Sequence, residues 1–442
     1  MTQFLQIDAD SSQGYLLQSM TNTDTNDVEA TVAQVIELKN AGADLVRVAV
    51  PGMKEVASLR KIKNTLLEKN IQIPLVADVH FLPKVAEETA TFVEKVRINP
   101  GNFTSSITSH FSPLIPDFEN LLLNAQSLFE ICKKHNTIIR VGVNQGSLSE
   151  RIISRYGHTT EALVVSALEW MDVSEKYDYH RIFFSIKSSS VKTMMDANLL
   201  FYKKMKERSR VYPLHLGVTE AANEMEGRVK SAIGIGGLLL SGLGNTFRVS
   251  LTENPVQEIM FSKLLVEAVQ DVKDANFVSE KNDVLHINYL ETNKEKWWAG
   301  VGALVGKIWL HNEFKDLKIE NHHFSKTEIE RLRDCILQIC GIKKTKTEII
   351  ACPSCGRTQY DIQAVLSEVK KHFSNYPHLK IAVMGCVVNG PGEMADADFG
   401  IIGSTNEKVA VYKGKERVSD FVPVQEALRF LKDLVLKSLL YL

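Results

Sequence analysis

Two short segments near the C-terminus carry the residues best suited to chemistry. Cys352-Pro353-Ser354-Cys355 puts two thiols at C-x-x-C spacing; Gly385-Cys386 and then Asn389-Gly390-Pro391-Gly392-Glu393 add a third thiol and a carboxylate. C-x-x-C is a spacing at which two thiolates reach one metal centre. A thioredoxin-type dithiol would open a helix early in its own domain and needs no third cysteine. A structural zinc site wants four nitrogen or sulfur ligands, and no fourth cysteine lies close by in the sequence. Cys132, Cys335 and Cys340 lie in apolar helical stretches and read as core cysteines. Glu393, brought round by the turn Asn389 to Gly392, is the candidate fourth ligand. Three thiolates with one exchangeable oxygen ligand describe a 4Fe-4S cluster with an iron open to substrate better than an electron-relay cluster.

A second set of polar residues is spread along the first 250 positions. Arg47, Asp78 with His80, Arg97 with Asn99, Arg140 with Asn144, Lys187, His215 with Thr219 and Glu220, and Arg248 with Ser250 each lie in or just past a β-branched run. Side chains two apart share one face of a strand. Four arginines and a lysine converging on one place repel one another unless a polyanion sits between them, so a substrate with two or more phosphate charges is the natural guest. Asn99 and Asn144 can hydrogen-bond hydroxyls. Glu220 and Asp78 are the carboxylates placed for acid/base work.

The elements that must position these residues alternate. Runs at 17–20, 44–50, 73–79, 93–99, 137–144, 181–187, 213–219 and 246–251 are separated by amphipathic helical stretches such as Asp27 to Ala41, where the Asn26–Asp27 pair can cap. Eight βα units over about 250 residues is the size of a (β/α)8 barrel, whose chemistry sits at the C-terminal mouth. The segment 230–244 holds Gly234, Gly236 and Gly237, but Leu239 stands where a dinucleotide fingerprint needs its third glycine. Those glycines suit close helix-to-strand packing, and Lys230, read at the end of a loop, can face the anion. The fold class is therefore α/β: a TIM-like barrel (1–269), a small insert or spacer (270–345) and a C-terminal α+β iron–sulfur domain (346–442). In the last part, strands TEIIA, LKIAVM, FGIIG and KVAVYKG alternate with helices from Asp361 to Phe373 and from Val424 to Leu440.

Composition excludes several classes. The chain has 442 residues, 44% hydrophobic and 24% charged, with net charge −1; this is an ordinary globular balance with no global pull toward nucleic acid or anionic membrane. The longest apolar runs, 233–243 and 297–306, are shorter than the roughly 20 residues of a membrane span. The N-terminal residues resemble neither a signal nor a transit peptide, so the expected location is the cytoplasm, where six cysteines point to metal or chemistry rather than disulfides. The competing readings are a barrel transferase of the dihydropteroate synthase kind with structural zinc, and a metal-binding interaction module.

The motifs ACPSCGRTQYDIQ and MGCVVNGPGEMADADFG, together with QSMTNTDTNDVEATV, PLVADVHF, RINPGN, RVGVNQGSLS, PLHLGVTEA, KSAIGIG and TFRVSL, resemble the 4-hydroxy-3-methylbut-2-enyl diphosphate synthases of the methylerythritol phosphate pathway. MADADFG and the DYHRIFFSIKSSS segment resemble their plant-type branch, whose large extra domain is here reduced to 270–345; the basic segment that usually precedes QSMTNT is also short. The resemblance implies that methylerythritol cyclodiphosphate binds at the barrel mouth and is opened reductively by two electrons with loss of water. It also implies a 4Fe-4S cluster on Cys352, Cys355, Cys386 and Glu393, and reduced flavodoxin or ferredoxin as donor. In two-domain relatives the cluster domain of one subunit covers the barrel of the other. With so short a spacer a head-to-tail homodimer is expected, in which Trp297, Trp298 and the run Ala299 to Val305 form either insert core or an interface patch.

Overall fold

The computed structural model describes residues 14–105, 117–219, 224–274, 277–358, 360–388, 390–394, 397–404 and 407–439. The chain divides into two compact units: Met1–Ser188, Thr193–Gly217 and Gly242–Arg248 form the first, and Ser189–Lys192, Val218–Ser241 and Val249–Leu442 the second.

The first unit is built on eight strands: β1 (Leu16–Met20), β2 (Leu45–Ala49), β3 (Leu75–Asp78), β4 (Lys95–Ile98), β5 (Ile138–Asn144), β6 (Ile182–Lys187), β7 (His215–Leu216) and β8 (Thr246–Phe247). They lie in the order β6-β5-β4-β3-β2-β1-β8-β7, and every pairing is parallel. A parallel bridge between Phe184 and Leu214 joins the two ends, so the sheet closes as a TIM-type barrel. The expected helix after β1 runs Val28–Ala41, with Asp27 accepting from the Ala30 N–H as its cap and Gly42 in the left-handed conformation closing it. All eight expected strands are present, but β7 and β8 are two residues long. There the Asn245 side chain accepts the Leu214 N–H at 3.0 Å and takes a place in the ladder.

The second unit holds two sheets. β9 (Val278–Lys281), β10 (Val284–Asn288) and β11 (Asp316–Glu320) form one, in the order β11-β10-β9. β12 (Glu348–Ala351), β13 (Lys380–Met384), β14 (Phe399–Gly403), β15 (Lys408–Lys413) and β16 (Glu416–Arg417) form the other in sequence order, with β17 (Val422–Pro423) added on β15. Helices Ile362–Phe373 and Val424–Leu439 present Val365, Leu366, Val369, Leu431 and Val435 to Ile381, Val383 and Ile401 of this sheet. Among the described residues no helix is long and apolar enough to cross a membrane.

The glycine-rich segment packs helix to helix, where helix to strand is expected. Residues Glu224–Ser231 are helical and continue through a π-helical turn, Ala232–Gly236, against helix Lys294–Trp309. A Cβ on Gly302 would meet the Ala232 Cβ at 2.7 Å, and one on Gly237 the Gly306 carbonyl carbon at 2.6 Å. Trp297 is fully buried and stacks on Phe324 with centroids 4.4 Å apart; it is insert core, not an interface patch. Gly306→Ala would drive a Cβ into the Ile233 carbonyl oxygen. Backbone must move to relieve that clash, so a loss of about 1–3 kcal/mol or more is expected, read as a lower melting temperature by calorimetry. An unchanged melting temperature would show that the two helices do not need this close approach.

Candidate functional site

Barrel interiors are usually filled by layers of Val, Ile and Leu. Here β2, β4, β5, β6 and β7 carry Arg47, Lys95, Arg97, Arg140, Lys187 and His215, Arg248 follows β8, and Asp78 of β3 is the carboxylate set beside Arg97 and Arg140. Arg47 Nε and Arg248 Nη1 both reach Met20 Sδ, at 3.0 and 3.5 Å. Arg140, 1% exposed, places Nη1 3.5 Å from Gln18 Oε1, while its Nε finds no partner among the described residues. Arg97 donates to Asp78 Oδ1 at 3.3 Å, to the Gly142 carbonyl at 3.0 Å and to a ring nitrogen of His80. Two glycines make this crowding possible: a Cβ on Gly142 would strike the Arg97 guanidinium, and one on Gly217 the Lys187 amine.

The electrostatics follow from that arrangement. Burial first, and then Arg47, Arg140, Arg248 and Arg97, push the Lys187 amine well below the ordinary lysine range. Burial, with Arg47, Arg97 and Arg248, also disfavours charge on Arg140, against which Asp78 works; a guanidinium nevertheless stays protonated, so the repulsion remains stored in the site. His215 is held neutral by burial and by Arg140, Lys187, Lys95 and Arg47, and its Nδ1 meets Thr246 Oγ1 at 2.7 Å. Stored repulsion of this kind is relieved by a bound polyanion.

Other expected residues take more particular places. Asn99 Nδ2 donates to Ser147 Oγ at 2.7 Å and lies 3.4 Å from His80 Nδ1. Asn144 caps the short helix Gln145–Ser147 by accepting the Gly146 N–H. Lys230 and Ser250 belong to the second unit, and both are buried. Lys230 lies on a helix, not in a loop, with Glu226 Oε1 3.8 Å from its Nζ. Glu220 falls outside the described residues. Sequence reasoning missed Lys95, although the two-residue spacing that couples Arg97 to Asn99 also couples Lys95 to Arg97.

In the second unit Cys352 and Cys355 follow β12, Cys386 follows β13, and Glu393 ends the short helix Gly390–Glu393. None of the three cysteines is in a disulfide, all are half-buried, and Glu393 is 2% exposed. The Gly385 N–H points at Cys352 Sγ at 3.1 Å, and Thr358 Oγ1 accepts the Cys355 N–H at 3.0 Å. Burial and the charges of Cys352 and Cys386 push the Tyr360 phenol up; its hydroxyl donates to the Met384 carbonyl. Arg357, buried two positions past Cys355, and Tyr360 were also missed by the sequence reading. Among the described residues no three His, Cys, Asp or Glu side chains gather closely enough for a single ion. The chemistry of the donor set fits an iron–sulfur cluster: soft thiols, one of them supported by an amide N–H, and a buried carboxylate. Cys132 is buried, with its thiol pushed up to about 12 by burial, as a core cysteine should be. Burial also raises the Cys335 and Cys340 thiols.

A TIM-type barrel rich in basic side chains, continued in one chain by a unit with three half-buried cysteines outside disulfides and a buried glutamate, has the make-up of a barrel enzyme for a polyanionic substrate. The model of the GcpE TIM-barrel domain matches residues 6–263, and that of the GcpE protein C-terminal domain matches 348–437. A Chlamydia muridarum protein named 4-hydroxy-3-methylbut-2-en-1-yl diphosphate synthase (flavodoxin) is 34% identical, with 94% of this chain and 93% of that protein aligned. A Parabacteroides distasonis protein of the same name is 31% identical over 95% and 94%. The chain belongs to this family of 4-hydroxy-3-methylbut-2-en-1-yl diphosphate synthases. The alignment with the Chlamydia protein runs over 560 residues, more than the whole of this chain, so that relative carries residues that have no counterpart here. A Xanthomonas albilineans dihydropteroate synthase covers 58% of this chain and 94% of its own at TM-score 0.39 and 13% identity; a likeness that weak does not favour a transferase.

Proposed function

We propose that this chain converts 2-C-methyl-D-erythritol 2,4-cyclodiphosphate to 4-hydroxy-3-methylbut-2-enyl diphosphate. Two electrons and one proton enter, a carbon–oxygen bond to phosphate breaks to open the ring, and a hydroxyl leaves as water. The observation that carries the reading is the set of barrel cations, Arg47, Arg97, Arg140, Lys187 and Arg248, around one carboxylate. Their repulsion is offset when a cyclic diphosphate sits among them, which fixes its orientation as well as its affinity. We assign His80, Asn99 and Asn144 to its hydroxyls. Glu220 is the carboxyl we assign to proton delivery at the departing hydroxyl. Cys352, Cys355, Cys386 and Glu393 would hold a 4Fe-4S cluster; when bound, it supplies the electrons one at a time and a Lewis-acidic iron. Glu393 is the ligand suited to yielding its place, since a carboxylate exchanges more readily than a thiolate on soft iron. Reduced flavodoxin, the donor in the names of the relatives, or ferredoxin would supply the electrons, in the cytoplasm.

Anaerobic purification followed by iron and sulfide determination and turnover with the cyclodiphosphate and reduced flavodoxin tests the reading. Brown protein with equal iron and sulfide, bleached by dithionite and active, is expected. Colourless protein holding zinc, with no turnover, would overturn it. Sedimentation of the same preparation reads whether the chain forms the head-to-tail homodimer that this reading also carries.

A further inference from the structure

One buried amine of the barrel interior, Lys95, has no role in ligand binding so far. Lys95 opens β4 two residues before Arg97 on the same face and is 1% exposed. Its Nζ lies 3.8 Å from the centroid of the Phe183 ring. Val76 and Ile138 are its strand neighbours, and Ile138 and Phe183 form an apolar cluster with Leu16 packed against it. The ionisable groups that face this end are Arg140 from β5 and His215 from β7. Asp78 and Arg97 stand one register step further along β3 and β4, with Arg47, Lys187 and Arg248 beyond Arg140. Among the described residues no carboxylate pairs with Lys95. An aromatic face attracts a cation but offsets only part of the cost of burying one beside an arginine. Burial first, and then Arg140, bring the amine down to about 7.

We propose that Lys95 is the deepest member of the anion site and takes up a proton when the diphosphate binds, so that the ligand's negative charge and the lysine's positive charge arrive together. The inference rests on the proposed function for the identity of the ligand. Each phosphorus of the cyclic diphosphate carries one strongly acidic oxygen, so the ligand itself exchanges no proton near neutrality. Two negative charges among Arg47, Arg140 and Arg248 offset the field that Arg140 exerts on Lys95 and raise the proton affinity of the amine. The sign follows: the bound state holds more protons than the free one, so affinity falls as pH rises above about 7. One linked proton gives at most about a tenfold fall per pH unit. At lower pH Lys95 is already charged and the dependence flattens. Lys95 acts through Arg140 as a positioning residue and does not touch the reacting atoms.

Calorimetric titration of the full chain with the cyclodiphosphate, in buffers of different ionisation enthalpy near pH 7.5, reads the protons taken up. Wild type is expected to take up a fraction of a proton, and His215→Gln and Lys187→Met, which remove the other two neutral bases facing these arginines, to keep that uptake. Lys95→Met should take up none and bind more weakly, with an affinity that no longer follows pH. Lys95→Arg, charged throughout, should also take up none while keeping affinity at high pH, and it serves if the methionine variant fails to fold. Uptake that persists in both Lys95 variants, or is lost only in His215→Gln or Lys187→Met, overturns the proposal. Binding by wild type without any uptake overturns it too and leaves the proposed function standing. Absence of binding by wild type removes the proposed function and this inference with it.

Discussion

Cys386→Ser is expected to yield a folded, colourless protein with no turnover. A serine hydroxyl stays protonated at neutral pH, and its hard oxygen is a poor partner for the soft iron that a thiolate binds. Cys386 follows β13, next to Gly385, whose N–H already supports the Cys352 sulfur at 3.1 Å. The fold around it rests on Val365, Leu366, Ile381 and Val383, none of which depends on the thiol. Iron content should therefore collapse while far-ultraviolet circular dichroism stays normal, and Cys352→Ser and Cys355→Ser should behave alike. Cys132→Ser, Cys335→Ser and Cys340→Ser give the contrast. Burial holds these three as protonated thiols, and their serine variants should retain full iron. Loss of iron in any of the latter set, with retention in one of the former, would falsify the ligand assignment.

Periodicity and residue chemistry made most of this molecule legible. The strands of the barrel, the cap at Asp27 and the strands and helices of the C-terminal part fall within a residue or two of expectation where packing and pattern agree, as in helix Ile362–Phe373, capped by Asp361. What escaped depended on partners far away in sequence. β7 and β8 are shorter than the pattern suggests, and beside them the Asn245 side-chain carbonyl accepts the Leu214 N–H, which no local pattern shows. The glycines at 234–237 signal a close approach without saying to what; the answer lies at Gly302 and Gly306. Lys95 could have been found, since it shares a face with Arg97, but at the head of a strand a lysine looks like a rim residue. Its burial against Phe183 is a property of the closed barrel. The sequence reading did single out these basic residues of the barrel, because five of them in or just past β2, β4, β5, β6 and β8 have no structural rationale of their own.

Arg140→Met is expected to move stability and ligand affinity in opposite directions. Arg140 is 1% exposed, and Arg47, Arg97 and Arg248 all oppose its charge while Asp78 favours it. Its contact with Gln18 is long, at 3.5 Å, and its Nε has no partner among the described residues. Methionine fills much of the same volume without charge, and replacing a buried, poorly compensated ion by an apolar side chain is often neutral or stabilising by about 1–4 kcal/mol. The melting temperature of the ligand-free protein should hold or rise. Binding should suffer, because a charge-assisted contact to phosphate contributes about 1.5–3 kcal/mol, so affinity for the cyclodiphosphate should fall roughly ten- to a hundredfold by calorimetric titration. A structural arginine gives the opposite pair of results: removal leaves Asp78 less well compensated, lowers the melting temperature and spares binding. Stability lost with affinity intact would therefore take Arg140 out of the anion site, whereas affinity lost with stability kept or gained would identify it as a residue retained for its ligand at a cost to the fold.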